Sequence, residues 1–316
     1  MKTVVLDWQT MTMNGDIDCE PIKSLGDVTV YGLTAPEDAA ERIGDAEAVL
    51  CNKVPITAEV MEKCPKLRYI GLFATGYNNV DVKYAAEHGI TVCNAGQYST
   101  NAVAQQTFAY ILDYFSRVSD YREAVRRGEW ESSETFSYFP FAARELCGKT
   151  LSIVGYGSIG RAVARIGEAF GMNILVSTRT VPADCPYELT DVKTAAERAD
   201  VLTFHCPLTE QTKGMVNAEL LSSMKKSAVL VNTSRGAVVN EQELADALKS
   251  GTISAAYLDV LEAEPMSSDT PLKNAPNCTI TPHTAWAALE TRELLLDIVC
   301  DNLRSWTEGC PKNKVN

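Results

Sequence analysis

"IVGYGSIG", residues 153–160, decides how the rest of the chain is read. It sets Gly155, Gly157 and Gly160 after the strand-like run "KTLSIV". The stretch that follows carries Ile159, Ala162, Val163, Ile166 and Phe170 on one helical face. Strand, glycine loop and helix in that order make an anion cradle. Gly155 permits a tight turn, Gly157 lets the main chain approach a pyrophosphate, and Gly160 lets the helix pack against the strand. Ser158 and Ile159 open the helix, whose N-terminal amides would face the anion. A glycine-rich turn without a ligand is the plain alternative; the strand before the loop and the amphipathic helix after it favour a dinucleotide.

The next strand, "NILVSTR", ends where an NAD site would place Asp or Glu against the ribose hydroxyls. This chain has Ser177-Thr178-Arg179-Thr180 there. An acidic side chain would repel a 2′-phosphate, whereas Thr178 and Arg179 can bind one, so the cofactor is expected to be NAD(P) with NADP(H) favoured over NAD(H). An Arg179 that merely points into solvent is the competing reading.

The same alternation of strand-like and helix-like segments runs through the whole chain. "TVVLD", "VTVYG", "AEAVLC", "RYIGLF" and "ITVCNA" precede the glycine loop; "VLTFHC", "AVLVNTS", "AAYLDV" and "CTITP" follow it. This pattern predicts parallel sheets with crossover helices, and 316 residues exceed one ordinary core. One helix is predicted from about Asn101 to Arg127, bridging two domains, and another amphipathic helix at the C-terminus. The expected division is residues 1–100 with 287–316 as one discontinuous α/β domain and 101–286 as the dinucleotide-binding domain. A net charge of −12 disfavours nucleic acid as a partner. No apolar run is long enough for a membrane span and no leader pattern opens the chain. The ten cysteines lack metal-ligand spacing and read as reduced, so no metal is expected and the protein is read as soluble and cytoplasmic.

Three later segments each put a charged or titratable residue just past a predicted strand: Arg235 in "VNTSRGAVVNEQEL", Asp259 and Glu264 in "YLDVLEAEP", and His283 in "TITPHTAW". In an open α/β sheet that is the side where ligands bind. Each residue alone has a plain explanation, since a lone loop arginine is usually a surface ion pair. The other histidines illustrate the point. His88 sits where a helix ends, and His205 is expected to line the adenosine side of the cofactor. Lys53, after "AEAVLC", stands at another strand end, where it either adds positive potential for an anionic substrate or is simply solvated. Trp286 either walls a substrate pocket or packs at a hinge.

Together these segments resemble the D-isomer-specific 2-hydroxyacid dehydrogenase family along essentially the whole chain. "ATGYNNVD", "YSTNAVAQQTF" and "TPHTAW" are most similar to its glycerate dehydrogenase or hydroxypyruvate reductase branch. The resemblance implies two doubly wound parallel-sheet domains, a Rossmann dinucleotide-binding domain inserted into a flavodoxin-like substrate domain. It also implies the reaction: hydride transfer between NAD(P) and a small 2-keto or D-2-hydroxy acid, hydroxypyruvate or glyoxylate favoured. Arg235 would pair with the substrate carboxylate and keto oxygen, His283 would carry the proton, and Glu264 would orient His283. Asp259 would hold the nicotinamide carboxamide, with Cys206, Pro207, Thr233 and Ser234 lining the cofactor. Ala74, Thr75 and Gly76 would cradle the substrate carboxylate. A homodimer through the nucleotide domain is implied as well. Two departures stand out: Gln105-Gln106 where an acidic residue is common, and the Ser-Thr-Arg run at the ribose site. A D-lactate-type or aromatic keto-acid reductase, and a non-catalytic nucleotide sensor, are the rival readings.

Overall fold

The computed structural model describes residues 1–180 and 182–316. The chain divides into two compact units, Met1–Ser99 with Ala287–Asn316, and Thr100–Trp286. The first unit runs β1 (Lys2–Val5), α1 (Glu20–Lys23), β2 (Asp27–Val30), α2 (Ala39–Ile43), β3 (Ala48–Cys51), α3 (Ala58–Glu62), β4 (Tyr69–Leu72), α4 (Val82–Glu87) and β5 (Thr91–Cys93). Its strands pair in parallel in the order β2-β1-β3-β4-β5, the flavodoxin-like arrangement. Every residue of β3 and β4 is buried, as a strand covered on both faces requires. The helices are short, and α3 and α4 start where the side chains of Thr57 and Asp81 accept the amides of Val60 and Tyr84.

The second unit begins with α5 (Thr100–Ser116) and α6 (Val118–Arg126). The single helix expected from about Asn101 to Arg127 is therefore two. Arg117, at φ +56°, breaks it. Its amide still closes the last turn on the Asp113 carbonyl, after which Ser119 Oγ bonds Asp113 at 2.7 Å and the Arg117 guanidinium pairs with Asp120 at 2.6 Å. Those bonds hold a left-handed residue without glycine or proline, so no local signal marks the break.

Then come β6 (Thr150–Val154), α7 (Ser158–Ala169), β7 (Asn173–Ser177), β8 (Glu188–Leu189), α8 (Val192–Arg198), β9 (Val201–Phe204), α9 (Ala218–Ser223), β10 (Val229–Asn232), α10 (Glu241–Lys249), β11 (Ala255–Leu258) and β12 (Cys278–Ile280). All seven strands are parallel, in the order β12-β11-β10-β9-β6-β7-β8. This is the Rossmann order with a seventh strand, and the switch point lies between β6 and β9. Successive residues feed opposite faces. Val229 and Val231 join the core under α5 and α7, while Leu230 joins the core under α8, α9 and α10.

Register aligns the strand ends. Ile280 pairs with Leu258, Leu258 with Asn232, Asn232 with Phe204, Phe204 with Val154, and Val154 with Ser177. The six loops that follow leave the sheet along one row, roughly 24 Å long at about 4.8 Å per strand. Finally α11 (Leu289–Thr307) returns to the first unit, burying Leu295, Leu296, Val299 and Leu303 and setting Trp306 against Tyr69. Buried Arg292 of that helix binds Asp16 through both terminal nitrogens at 3.0 and 2.6 Å. The pair holds the Asp16 carboxyl well below the usual carboxylate range.

Candidate active site

At the switch point the three glycines do different work. Gly155 has φ +97°, and a side chain there would meet the His205–Cys206 backbone at 2.6 Å. A Cβ on Gly160 would lie 2.1 Å from the Gly155 carbonyl oxygen, so α7 can sit this close to β6 only with glycine. A Cβ on Gly157 would meet nothing within 4 Å. The middle glycine thus faces open space at the N-terminus of a 12-residue helix, beside the unshared amides of Ser158, Ile159 and Gly160. These residues fit a dinucleotide pyrophosphate.

Thr178 and Arg179 leave the next strand end, Arg179 exposed and Thr178 bonding the Thr180 carbonyl at 3.3 Å. No carboxylate occupies residues 177–180. On the other side, His205 bonds Thr203 Oγ1 through Nε2 at 3.0 Å and Thr233 Oγ1 through Nδ1 at 3.3 Å. Burial pushes its pKa down to about 3. His205 is therefore a neutral pillar between β9 and β10. Cys206 is buried behind it and Pro207 takes the Thr212 hydroxyl on its carbonyl.

The ends of β10, β11 and β12 carry the acid–base candidates. His283 Nδ1 lies 2.6 Å from Glu264 Oε2, and Glu264 Oε1 accepts the Leu261 amide at 3.0 Å. With Nδ1–H directed at a carboxylate, Nε2 is the nitrogen left for proton exchange. Both side chains are about one-third exposed, 30% and 36%, which leaves the imidazole reachable by a small molecule. His283 itself is left-handed at φ +55°, a conformation costly for a non-glycine residue. Asp259 holds it there. Its carbonyl accepts the His283 amide at 2.8 Å, and its buried carboxylate accepts Thr281 Oγ1 at 2.6 Å and the amides of Thr284 and Ala285 at 2.8 Å each. Tyr110, from α5, adds its hydroxyl to Thr281 and, at 3.4 Å, to Asp259. In this arrangement Asp259 is the clamp of the turn that aims His283.

Arg235 is exposed, with Nη1 bonding the Ser234 carbonyl at 2.7 Å. Its loop is folded by Asn232, which is fully buried. The Asn232 oxygen accepts the Ser234 amide and hydroxyl at 3.0 and 2.8 Å, while its nitrogen donates to the Arg235 carbonyl at 2.9 Å. Gly236 then lets this loop lie against the next: a Cβ there would stand 1.8 Å from the Leu261 carbonyl carbon. Trp286 is half-buried at the end of the same unit. Sequence reasoning missed Asn232, Tyr110 and Gly236 as organisers. The Gly236 signal was present in "SRGAVV"; the other two are legible only through partners far along the chain.

In the first unit, Lys53 lies in a loop that Asp7 fastens. The buried Asp7 carboxylate accepts the amides of Asn52, Lys53 and Val54, the Lys53 amide at 2.7 Å. Burial still pushes the Asp7 carboxyl up. Ala74, Thr75 and Gly76 follow β4 in a loop anchored by its carbonyls, Ala74 O to the Ala95 amide at 2.9 Å and Thr75 O to Asn94 Nδ2 at 2.8 Å.

Residues 108–285 match the profile described as D-isomer specific 2-hydroxyacid dehydrogenase, NAD binding domain. The chain is 42% identical to a hydroxypyruvate reductase of Blautia hydrogenotrophica, with 100% of each chain covered. It is 40% identical to a glycerate dehydrogenase of Methylorubrum extorquens, covering 89% of this chain and 88% of that one. Among solved structures, an NADPH-dependent glyoxylate/hydroxypyruvate reductase of Sinorhizobium meliloti, in complex with NADP and malonate, superimposes with a TM-score of 0.86. It shares 30% identity, with 99% of this chain and 96% of that chain covered.

Proposed function

The chain belongs to the D-isomer specific 2-hydroxyacid dehydrogenase family, and on that premise we propose that it reduces hydroxypyruvate or glyoxylate with NADPH, His283 supplying the proton. It is an NAD(P)-dependent oxidoreductase interconverting 2-keto and 2-hydroxy acids. The observation that carries the proton assignment is the 2.6 Å pair of His283 and Glu264 on the catalytic row of strand ends. His205 cannot compete, being neutral and bonded at both nitrogens.

A bound reduced nicotinamide supplies the hydride. The amides at the start of α7 would hold its diphosphate, and Thr178 with Arg179 would take a 2′-phosphate. Arg235 binds the substrate carboxylate and keto oxygen, polarising the carbonyl. His283 Nε2 then gives its proton to the ketone oxygen as C2 gains hydride, forming the D-2-hydroxy acid; in the reverse direction the same nitrogen takes the hydroxyl proton. Glu264 holds Nδ1 and so fixes the ring and its tautomer. Asp259 keeps the His283 turn in shape and borders the carboxamide. Trp286 adds a further substrate contact from the same unit.

The homodimer implied by the family finds support in the surface of the second unit. A groove of 670 Å³ between α5 and α7 is lined by Ala104, Phe108, Leu112 and Ile166, and Phe136 and Phe139 stand 93% and 78% exposed. No helix among the described residues is long and apolar enough to cross a membrane. We place the enzyme in the cytoplasm, in keeping with its ten unpaired cysteines.

The test is steady-state kinetics with NADPH and NADH against glyoxylate, hydroxypyruvate, pyruvate and phenylpyruvate, for the natural chain and for His283→Ala. Expected are turnover of the two small polar keto acids and its loss in the variant, with cofactor affinity kept. Unimpaired turnover by the variant would overturn the role of His283. Silence of the natural chain on all four acids would favour a nucleotide sensor.

A further inference from the structure

Glu264 can orient His283 only if its own loop is held, and two of the bonds that hold that loop converge on one side chain. Glu241, the first residue of α10, accepts the Glu262 amide on Oε1 at 2.8 Å and the Thr270 hydroxyl on Oε2 at 2.8 Å. These two partners bracket Glu264 in the chain. The loop is thereby tied at both ends to a helix that begins six residues after Arg235. Gly236 closes the opposite side, where the Leu261–Glu262 backbone lies too close for any other residue.

An acidic residue in the first turn of a helix has an ordinary explanation, favourable interaction with the helix dipole. That interaction needs only the charge, and the capping of the first turn is supplied by other residues. Asn240 caps α10 by accepting the Glu243 amide, and Glu243 in turn accepts Asn240 Nδ2 at 2.8 Å, a reciprocal cap that leaves Glu241 out. Both Glu241 oxygens point to the acid-bearing loop instead.

We propose that Glu241 is a positioning residue for proton transfer, acting through the 262–270 loop on Glu264 and hence on His283. The proposal rests on the roles given above to Glu264 and His283. The contact of Glu264 with His283 is short, 2.6 Å, and such a bond weakens steeply when its donor and acceptor drift apart. Loosening the loop therefore lowers the rate of proton transfer, while Arg235 and the glycine loop, held by other bonds, go on binding substrate and cofactor.

The experiment is a double-variant cycle read by kcat and KM for hydroxypyruvate with NADPH. Glu241→Ala is expected to lower kcat about tenfold, the lower end of the loss seen when outer orienting groups are removed, with KM and cofactor affinity within about twofold. Glu241→Gln is expected to recover most of the loss. Its amide oxygen still accepts the Glu262 amide, and its nitrogen can donate to the Thr270 hydroxyl. In a Glu264→Gln background Glu241→Ala should cost nothing further, because the group it serves is already impaired. A full tenfold loss in that background, or a kcat for Glu241→Ala equal to that of the natural chain, would overturn the proposal. If Glu264→Gln alone leaves kcat unchanged, the fault lies in the acid–base assignment that the proposal rests on, and the proposal falls with it.

Discussion

Replacing Gly236 by alanine drives a methyl group into the backbone of the neighbouring loop. Its Cβ would sit 1.8 Å from the Leu261 carbonyl carbon, 1.9 Å from the oxygen and 2.4 Å from the Glu262 nitrogen. Ordinary contact begins at 3.4 Å, so the two loops must separate by about 1.6 Å, some 0.8 Å each if they share the movement. One loop carries Arg235 and the other Glu264. Stretched by about 0.8 Å, the 2.6 Å bond between Glu264 and His283 passes the ~3.2 Å limit of a normal hydrogen bond. Displacements of about 1 Å in reacting groups cost on the order of 10²-fold in rate. The strain itself costs roughly 1–3 kcal/mol of stability, the range for overpacked sites. Gly236→Ala should therefore fold, melt several degrees lower, bind NADPH normally and lose about 10²-fold in kcat for hydroxypyruvate. KM should rise less, through the shift at Arg235. NADPH absorbance kinetics and a thermal melt measure all of this. A variant with kcat within threefold of the natural chain and an unchanged melting temperature would refute the reasoning, for it would mean that the two loops are not held against one another at Gly236.

Two further expectations concern the cofactor half of the row. Arg179→Ala should weaken NADPH by roughly 10- to 100-fold, the worth of a charge-assisted hydrogen bond, and leave NADH within about twofold; equal losses in fluorescence titrations would remove the phosphate contact. His205 should make the protein acid-sensitive. Its pKa falls from 6.5 to about 3 on folding, so its stabilising effect is complete above pH 6.5 and is lost progressively as pH falls towards 3, by at most about 1.4 kcal/mol per pH unit. His205→Gln should flatten the dependence of the denaturant midpoint on pH in that window, and a slope equal to that of the natural chain would show that His205 is not the group responsible.

The residues of the candidate site could be named from sequence because the signals that mark them are local. "IVGYGSIG" announces itself by strand, glycine spacing and helix, and His283, Glu264 and Arg235 stand out as titratable or charged residues directly after strands. What holds those residues was not legible. Asp259 reads in the sequence as a cofactor contact; that its carboxylate also accepts Thr281, Thr284 and Ala285, and so shapes the turn before His283, has no local sequence signal. Tyr110 reaches that same network from more than a hundred residues away in the chain. The break at Arg117 escaped notice for a related reason. A left-handed arginine depends on Asp113, Ser119 and Asp120 acting together, and no single one of them is a breaker.

By itself, the amino-acid sequence determined the strands, most crossover helices, the glycine loop and the short list of candidate acid–base residues, since each follows from periodicity or from residue chemistry within a few positions. Tertiary structure gives the two histidines that follow strands different surroundings. His205 and His283 each follow a strand, but register sets His205 between the hydroxyls of Thr203 and Thr233, where burial keeps it neutral. His283 emerges one-third exposed against a carboxylate that lies 19 residues earlier in the chain. The difference comes from desolvation and from the partner each ring meets, and both depend on which strands lie side by side.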